Sequence, residues 1–351
     1  MKTEHILIIR FSAMGDVAMM VPVVYSLAKQ YPHIRITVLS RPFAKVFFEG
    51  LAPNVSFMQA DIKKEYSSIK GLNALYRRLV AKNFTAIADF HSILRSHYLR
   101  MRFNIGRYKV AHIDKHRAGK RRLIATNNKV LEQQPTSFQN YADVLAELGY
   151  PVELNFTSLF HTADGKPTVQ LPETIGPKKP FQQWIGIAPF AAHKGKIYPI
   201  EQMEEVIKLV KTKHPSCRIF LFGAGEQENK VLHAWAQKYK ECTHASAVLS
   251  GLHEELIVMH HLDVMVSMDS ANMHLASLTH TPVVSIWGAT HPYAGFLGWN
   301  QSIHNVVQTD LPCRPCSIYG NKPCMRGDYA CLTTIKPETI ANKIEAILQT
   351  K

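Results

Sequence analysis

The hydrophobic positions of this chain fall into short solid runs separated by amphipathic stretches. Ile6–Ile9 is an uninterrupted apolar run of the kind a buried strand shows, and Arg10 ends it. Val17–Gln30 has helical spacing, with Pro22 tolerable only close to a helix start and Pro32 closing the unit. Arg35–Leu39, Val55–Met58 and Phe84–Ala88 read as further strands, with a helix at Leu72–Lys82. Strands alternating with helices long enough to cross over predict a parallel sheet covered on both faces.

The same rhythm restarts in the second half. Strands are predicted at Trp184–Ala188, Arg218–Phe222, Val264–Ser267 and Val283–Trp287. Helices are predicted at Ile200–Lys213, Glu228–Lys240 and His253–His260, with another beginning at Met273 and a last one at Pro337–Leu348. The stretch Leu171–Gln183 holds three prolines, a glycine and two lysines, and reads as a connection. The expected division is a first α/β domain over 1–172, a linker or hinge at 173–183, a second α/β domain over 184–335 and a terminal helix over 336–351. Ligands of open parallel sheets bind beyond the carboxyl ends of strands. The loops after Ile9, Ala188, Phe222, Ser267 and Trp287 are therefore where chemistry is expected.

Composition narrows the class. With 351 residues, 46% of them apolar, there is material for two packed cores. The formal charge of +14 is unevenly spread: Arg95 to Lys129 is densely basic, with Asp114 as its only acid. Such a field attracts polyanions or is simply a solvated surface. No helix-turn-helix, zinc-finger or RNA-sheet signature accompanies it, so nucleic acid is not the expected partner. No run resembles a membrane span or a signal peptide, which predicts a cytoplasmic protein. The G-x-G at Gly223–Gly225 is followed by Glu226 rather than a third glycine, and no kinase-type phosphate loop occurs.

Several loops carry candidate chemistry. Asp16 follows Ser12 and Gly15 at a strand-to-helix turn, where a carboxylate serves as a helix cap or as a base kept ionised by the helix start. Lys194 and Lys196, in PFAAHKGKIYP, are either solvated lysines or cations for a leaving diphosphate. Glu226, after two glycines, is placed to accept from a ribose. Asp269, Ser270, Ala271 and His274 lie where a buried run gives way to a helix; they form a cap or a phosphate and hydroxyl pocket. Cys313, Cys316, Cys324 and Cys331 are spaced C-x2-C-x7-C-x6-C in the loop 313–331. A tetrahedral structural zinc, free thiols and a disulfide are all compatible with that spacing.

The strings IIRFSAMGDVAMMVPVVYSLAKQYP, ADFHSILRS, KIYP, LFGAGEQEN and DSANMHLASLTHTPVVSIWGATHP, in this order, carry a resemblance. From Ile6 to about Ile344 the chain resembles the ADP-heptose:lipopolysaccharide heptosyltransferase family, the family 9 glycosyltransferases. That resemblance implies an α/β fold of GT-B type, two facing Rossmann-like domains with a central cleft. It implies an inverting transfer of heptose from ADP-heptose to the lipopolysaccharide inner core, with no catalytic cofactor. Asp16 takes the family's base position and Lys196 its donor-phosphate lysine. Glu226 takes its ribose glutamate, and Asp269 and His274 its donor-binding pair. Ser270 keeps the family's hydroxyl, whereas Ala271 replaces a glycine. Ala191 and Ala192 stand where members carry two threonines, so Lys194 or backbone amides are expected to compensate. The acceptor is an anionic phosphorylated lipid, with Ser12 and Arg95 as expected contacts and peripheral attachment at the cytoplasmic face of the inner membrane. The alternatives are a relative using another nucleotide sugar, a GT-B epimerase, and a basic nucleic-acid or membrane-surface binding protein.

Overall fold

A computed structural model describes residues 4–160 and 169–350. They divide into two compact units, 1–115 with 135–159 and 116–134 with 160–351. The first unit runs β1 (His5–Ile9), α1 (Met14–Ala18), α2 (Val21–Gln30), β2 (Arg35–Ser40), α3 (Lys45–Phe48), β3 (Val55–Gln59), α4 (Ile69–Val80), β4 (Ala86–Asp89), α5 (Leu94–Ile105) and β5 (Lys109–His112). The chain then enters the second unit for α6 (Arg117–Leu123) and rejoins the first for α7 (Ser137–Glu147). The first sheet is ordered β3-β2-β1-β4-β5, all parallel. Every residue of β1 is buried, as helices on both faces require.

The second unit continues with β6 (Trp184–Ala188), α8 (Ile200–Lys213), β7 (Arg218–Leu221), α9 (Glu226–Lys238), β8 (Cys242–His244), α10 (Ala245–Val248) and α11 (Leu252–His260). It closes with β9 (Val264–Met268), α12 (Ala271–Leu278), β10 (Val283–Trp287), β11 (Val306–Gln308), α13 (Ala330–Thr333) and α14 (Pro337–Leu348). Its sheet order is β11-β10-β9-β6-β7-β8, again all parallel. Both sheets begin in the middle and wind outward in both directions. The direction reverses between β1 and β4 in one and between β6 and β9 in the other. Crevices at such reversals are where doubly wound sheets hold ligands. The fold class is α/β with two parallel sheets, as read from the alternation.

Three expectations need correction. The helix read as Val17–Gln30 is two helices, α1 and α2, interrupted at Met19 and Met20. A proline ring collides with the carbonyl four residues before it in a continuous helix. The residue four before Pro22 is Ala18, where α1 stops, and Pro22 then sits in the first turn of α2. Residues 116–134 belong with the second unit, and the division after α7 falls at 159–160 rather than at 172. The stretch read as a connection is fastened to the second unit. Lys178 Nζ lies 2.6 Å from Asp263 Oδ2, and Arg218 Nη1 donates to Ile175 O at 2.6 Å. Among the described residues no helix is long and apolar enough to cross a membrane.

Candidate active site

In the first unit the loops after β1 and β4 meet at the sheet's reversal. Asp16 is the third residue of α1 and not its cap; the cap is Ala13, whose N–H donates to Asp16 Oδ2 at 3.1 Å. The same oxygen lies 2.7 Å from Arg10 Nη2, and the carboxylate remains 31% exposed. Arg10 is buried and donates through Nη1 to Phe90 O at 2.5 Å. Its guanidinium packs 5.6 Å from the centre of the Tyr141 ring, and Tyr141 Oη donates to Asp16 O at 3.2 Å. Burial pushes the Tyr141 phenol upward, so it serves as a neutral donor.

His91, on the loop after β4, closes this cluster. Phe11 N–H donates to His91 Nδ1 at 3.3 Å, so the ring proton sits on Nε2 and is directed at Ser12 Oγ, 3.3 Å away. Burial, with Arg10 and Lys115 nearby, pushes the imidazole down to about 3, so the ring is neutral at physiological pH. Ser12 therefore accepts from His91 and keeps its own proton for another oxygen. Asp89, fully buried, accepts from His91 N at 3.0 Å and Ser92 N at 2.9 Å, which fixes the loop. Arg95 is half-buried in the first turn of α5 and pairs with no carboxylate among the described residues. Sequence reasoning named Asp16, Ser12 and Arg95 here but missed Arg10, His91 and Tyr141. Asp89 and His91 lay within the quoted ADFHS string; nothing local marked Tyr141.

In the second unit the loops after β6 and β9 meet likewise. Lys196 ends a single 3-10 turn, Lys194–Lys196, and its Nζ lies 3.0 Å from Asp269 Oδ2. Their side chains are 16% and 5% exposed. Thr290 Oγ1, fully buried, donates to the same Asp269 oxygen at 2.8 Å. Asp269 is thus a structural partner of Lys196 here, and Thr290 is a member of the cluster that sequence reasoning passed over. Ser270 occupies the cap position of α12 without donating or accepting a capping bond. Its hydroxyl lies 3.3 Å from Ser267 Oγ. Ala271 opens α12, and His274 is buried one turn on.

The other candidates lie further out. Lys194 is exposed, its ammonium 5.0 Å above the Tyr329 ring, and Ala192 is exposed beside it. Glu226 opens α9, is 80% exposed, and pairs with Lys230 at 2.8 Å. Its neighbour Glu228 accepts from Ala224 N at 2.9 Å and so ties down the glycine loop.

The cysteine loop reaches this cluster through the backbone. Ala289 N donates to Gly195 O at 2.8 Å, and Ala289 O accepts from Cys316 N at 3.1 Å and Ser317 N at 3.2 Å. Gly320, at a φ of 74°, lies against the aliphatic stem of Lys196. All four cysteines are reduced and line one cavity with Arg314 and Tyr329. Among the described residues no group of three or more His, Cys, Asp or Glu side chains is arranged to hold a metal ion. Buried Arg314 donates instead to Gly288 O at 2.6 Å and Gln308 Oε1 at 2.7 Å. Burial pushes its guanidinium down to about 10.

A carboxylate at one reversal and a counter-charged lysine beside a helix start at the other are groups that a transfer from a diphosphate donor would use. Residues 72–324 match the model of "Glycosyltransferase family 9 (heptosyltransferase)". Lipopolysaccharide heptosyltransferase 1 of Campylobacter coli is 23% identical over 97% of this chain and 98% of its own length. The family 9 glycosyltransferase of Veillonella parvula superposes with a TM-score of 0.70 at 18% identity, covering 100% of this chain and 99% of that one. The E. coli heptosyltransferase WaaC, solved with ADP, gives 0.67 at 18% identity over 98% and 99%. The match spans well over half the chain: the protein belongs to glycosyltransferase family 9, the heptosyltransferase family, and is a glycosyltransferase.

Proposed function

We propose that this protein transfers a heptose from ADP-heptose to the lipopolysaccharide inner core, with inversion at the anomeric carbon. The acceptor is assigned to the first unit and the donor to the second. Asp16 takes the proton from the acceptor hydroxyl as that oxygen attacks. The bond between the anomeric carbon and the donor diphosphate breaks, and ADP departs carrying the electron pair. Lys196 and the N–H groups opening α12 bear the charge that grows on the diphosphate. Loss of one such stabilising group typically raises a barrier by about 3 kcal/mol. The observation that carries this reading is the Lys196–Asp269 pair, which fixes a cation beside the first turn of α12 at the sheet's reversal.

Within the proposal, His274 and Ser270 line the donor side, Glu226 swings to the ribose, and Lys194 compensates for the hydroxyls absent at Ala191 and Ala192. Ser12 and Arg95 contact the anionic acceptor at the cytoplasmic face of the inner membrane. In this reading the transfer needs no cofactor. A structural zinc at the four cysteines is supported only by their shared cavity. Metal analysis decides it: about one zinc per chain favours it, and a content near zero removes it.

The test is an assay with truncated lipopolysaccharide cores and ADP-heptose, read by product mass. Gain of one heptose supports the reading. Turnover of a different nucleotide sugar, with none of ADP-heptose, moves the protein to the second reading, a family member with another donor. The alanines at 191 and 192 are what favour that alternative.

A further inference from the structure

Helix α5 is apolar on two opposite faces. Leu99 and Phe103 are buried in the first unit's core. Leu94, Tyr98, Met101 and Ile105 recur at steps of four, three and four, so at 3.6 residues per turn they lie within about 60° of one another. Leu94, Met101 and Ile105 lie on the side away from that core, whereas Tyr98, at the edge of the row toward α4, packs against it. Leu94 is 86% exposed, Met101 49% and Ile105 72%. Positions facing solvent on a surface helix are ordinarily polar. Isolated exposed leucines need no explanation, but an aligned row of them does.

The neighbouring helix extends the row. Tyr98 Oη donates to Asn73 Oδ1 at 2.8 Å and Tyr76 Oη to Arg102 O at 3.2 Å, which seats α4 against α5. Ile69, one turn before Asn73 on α4, is 69% exposed. Neither α4 nor α5 contains an aspartate or a glutamate. They carry Lys70, Arg77, Arg78, Arg95, Arg100 and Arg102. Arg100 turns to buried Asp89 at 3.4 Å; the other five meet no carboxylate among the described residues.

We propose that this face, the outer row of α5 with Ile69 of α4, is the surface by which the protein docks on an anionic lipid bilayer. Leu94, Met101, Ile105 and Ile69 enter the boundary between headgroups and acyl chains, and the flanking cations meet lipid phosphates. An apolar row bordered by cations on a convex helix surface has the form of an interfacial helix. A second copy of the chain is the poorer occupant. A two-fold contact through this face would set its uncompensated cations against one another. The inference rests on the reading of a lipid-borne acceptor and deepens it. The row starts at Leu94, three residues beyond His91, so the lipid surface lies next to the loop assigned to the acceptor.

The experiment uses the full chain with two sets of vesicles, one of phosphatidylcholine alone and one containing phosphatidylglycerol. The variant is Leu94→Gln with Met101→Gln and Ile105→Gln, changes at exposed positions that leave the core untouched. Wild type is expected to sediment with the phosphatidylglycerol vesicles and not with the neutral ones. The triple variant is expected to bind them roughly tenfold more weakly or worse. Its turnover of a water-soluble, delipidated core acceptor should match wild type, so a failure of the transferase reading shows separately as absent turnover in both proteins. Equal vesicle binding by the two proteins would overturn the assignment of this face. Absence of binding by wild type would overturn the docking itself. Dimers seen by light scattering in wild type and lost in the variant would reassign the face to a second copy.

Discussion

Lys196 and Asp269 form an ion pair of 3.0 Å on which Thr290 also converges, its hydroxyl 2.8 Å from the same carboxylate oxygen. A lysine is a flexible point charge, and a buried carboxylate with a second hydrogen bond is what gives it one address. Thr290→Val removes that second bond while keeping the volume. Loss of a bond of this kind costs about 1 kcal/mol, so kcat/KM for the donor should fall roughly fivefold or more. Steady-state kinetics with varied donor check it; unchanged donor kinetics would show that Thr290 does not position Lys196.

Gly320 and Gly327 offer a matched pair. Both have positive φ, 74° and 81°, but only Gly320 has a neighbour where a Cβ would go, the stem of Lys196; Gly327 has nothing within 4 Å. Either alanine pays a conformational cost of about 1 kcal/mol. Gly320→Ala should in addition displace Lys196 and depress kcat at least about tenfold, while Gly327→Ala leaves kcat within about twofold. Equal effects of the two on kcat would mean that the cysteine loop does not set the lysine.

Arg10 is the corresponding support for Asp16. Arg10→Met keeps the stem but leaves Asp16 without this cation and Phe90 O without this donor. A loss of about 1–3 kcal/mol of stability is expected, together with a drop in transfer of about tenfold or more. Arg10→Lys restores the charge but not the fork, so partial recovery should follow. Donor affinity, measured by calorimetry, should stay within about twofold in both, because Lys196 and Asp269 belong to the other unit.

Acid should weaken the fold through its histidines. Burial, aided by neighbouring cations, pushes His91 down to about 3 and His291 down to about 4. An unfolded histidine takes up its proton near 6.5, so between there and the folded value the unfolded chain holds more protons. Their contribution is therefore whole above about pH 6.5 and is lost as pH falls toward the folded values. His91→Gln removes one of them. The stability gap between wild type and variant should shrink on acidification by at most about 1.4 kcal/mol per pH unit. Urea melts from about pH 7.5 down to 5 measure it; a constant gap would contradict a neutral, buried His91.

Much of the scaffold was legible because its signals are local. Trp184–Ala188 and Val283–Trp287 are solid apolar runs and fold as strands with the bounds read from them. Ile200–Lys213 has one apolar stripe and a helical period, and Pro337 marks its own helix start; both helices have the expected bounds. Helix α5 escaped notice because apolar residues on two opposite faces leave no single stripe to read. The helix expected from Val17 broke at Pro22, whose ring excludes the carbonyl of Ala18 from a continuous helix, a stop that counting four residues back from the proline marks in the sequence itself. The strand-end loops could be listed as candidates, but not how their side chains pair. Asp269 follows Lys196 by 73 positions and Phe90 follows Arg10 by 80, and no periodicity encodes such contacts. Asp16 was read as a cap or a base, and its turn toward Arg10 became visible only with the geometry of β1 and α1.

The direct test of the central claim is single-turnover transfer by Asp16→Asn, with donor binding measured on the same preparation. Asparagine keeps the shape and cannot take the acceptor's proton. Transfer should fall by roughly 10²- to 10⁴-fold, with the donor dissociation constant changed less than about threefold. Transfer within a few-fold of wild type would contradict the account, because the attacking hydroxyl would then be losing its proton to some other group.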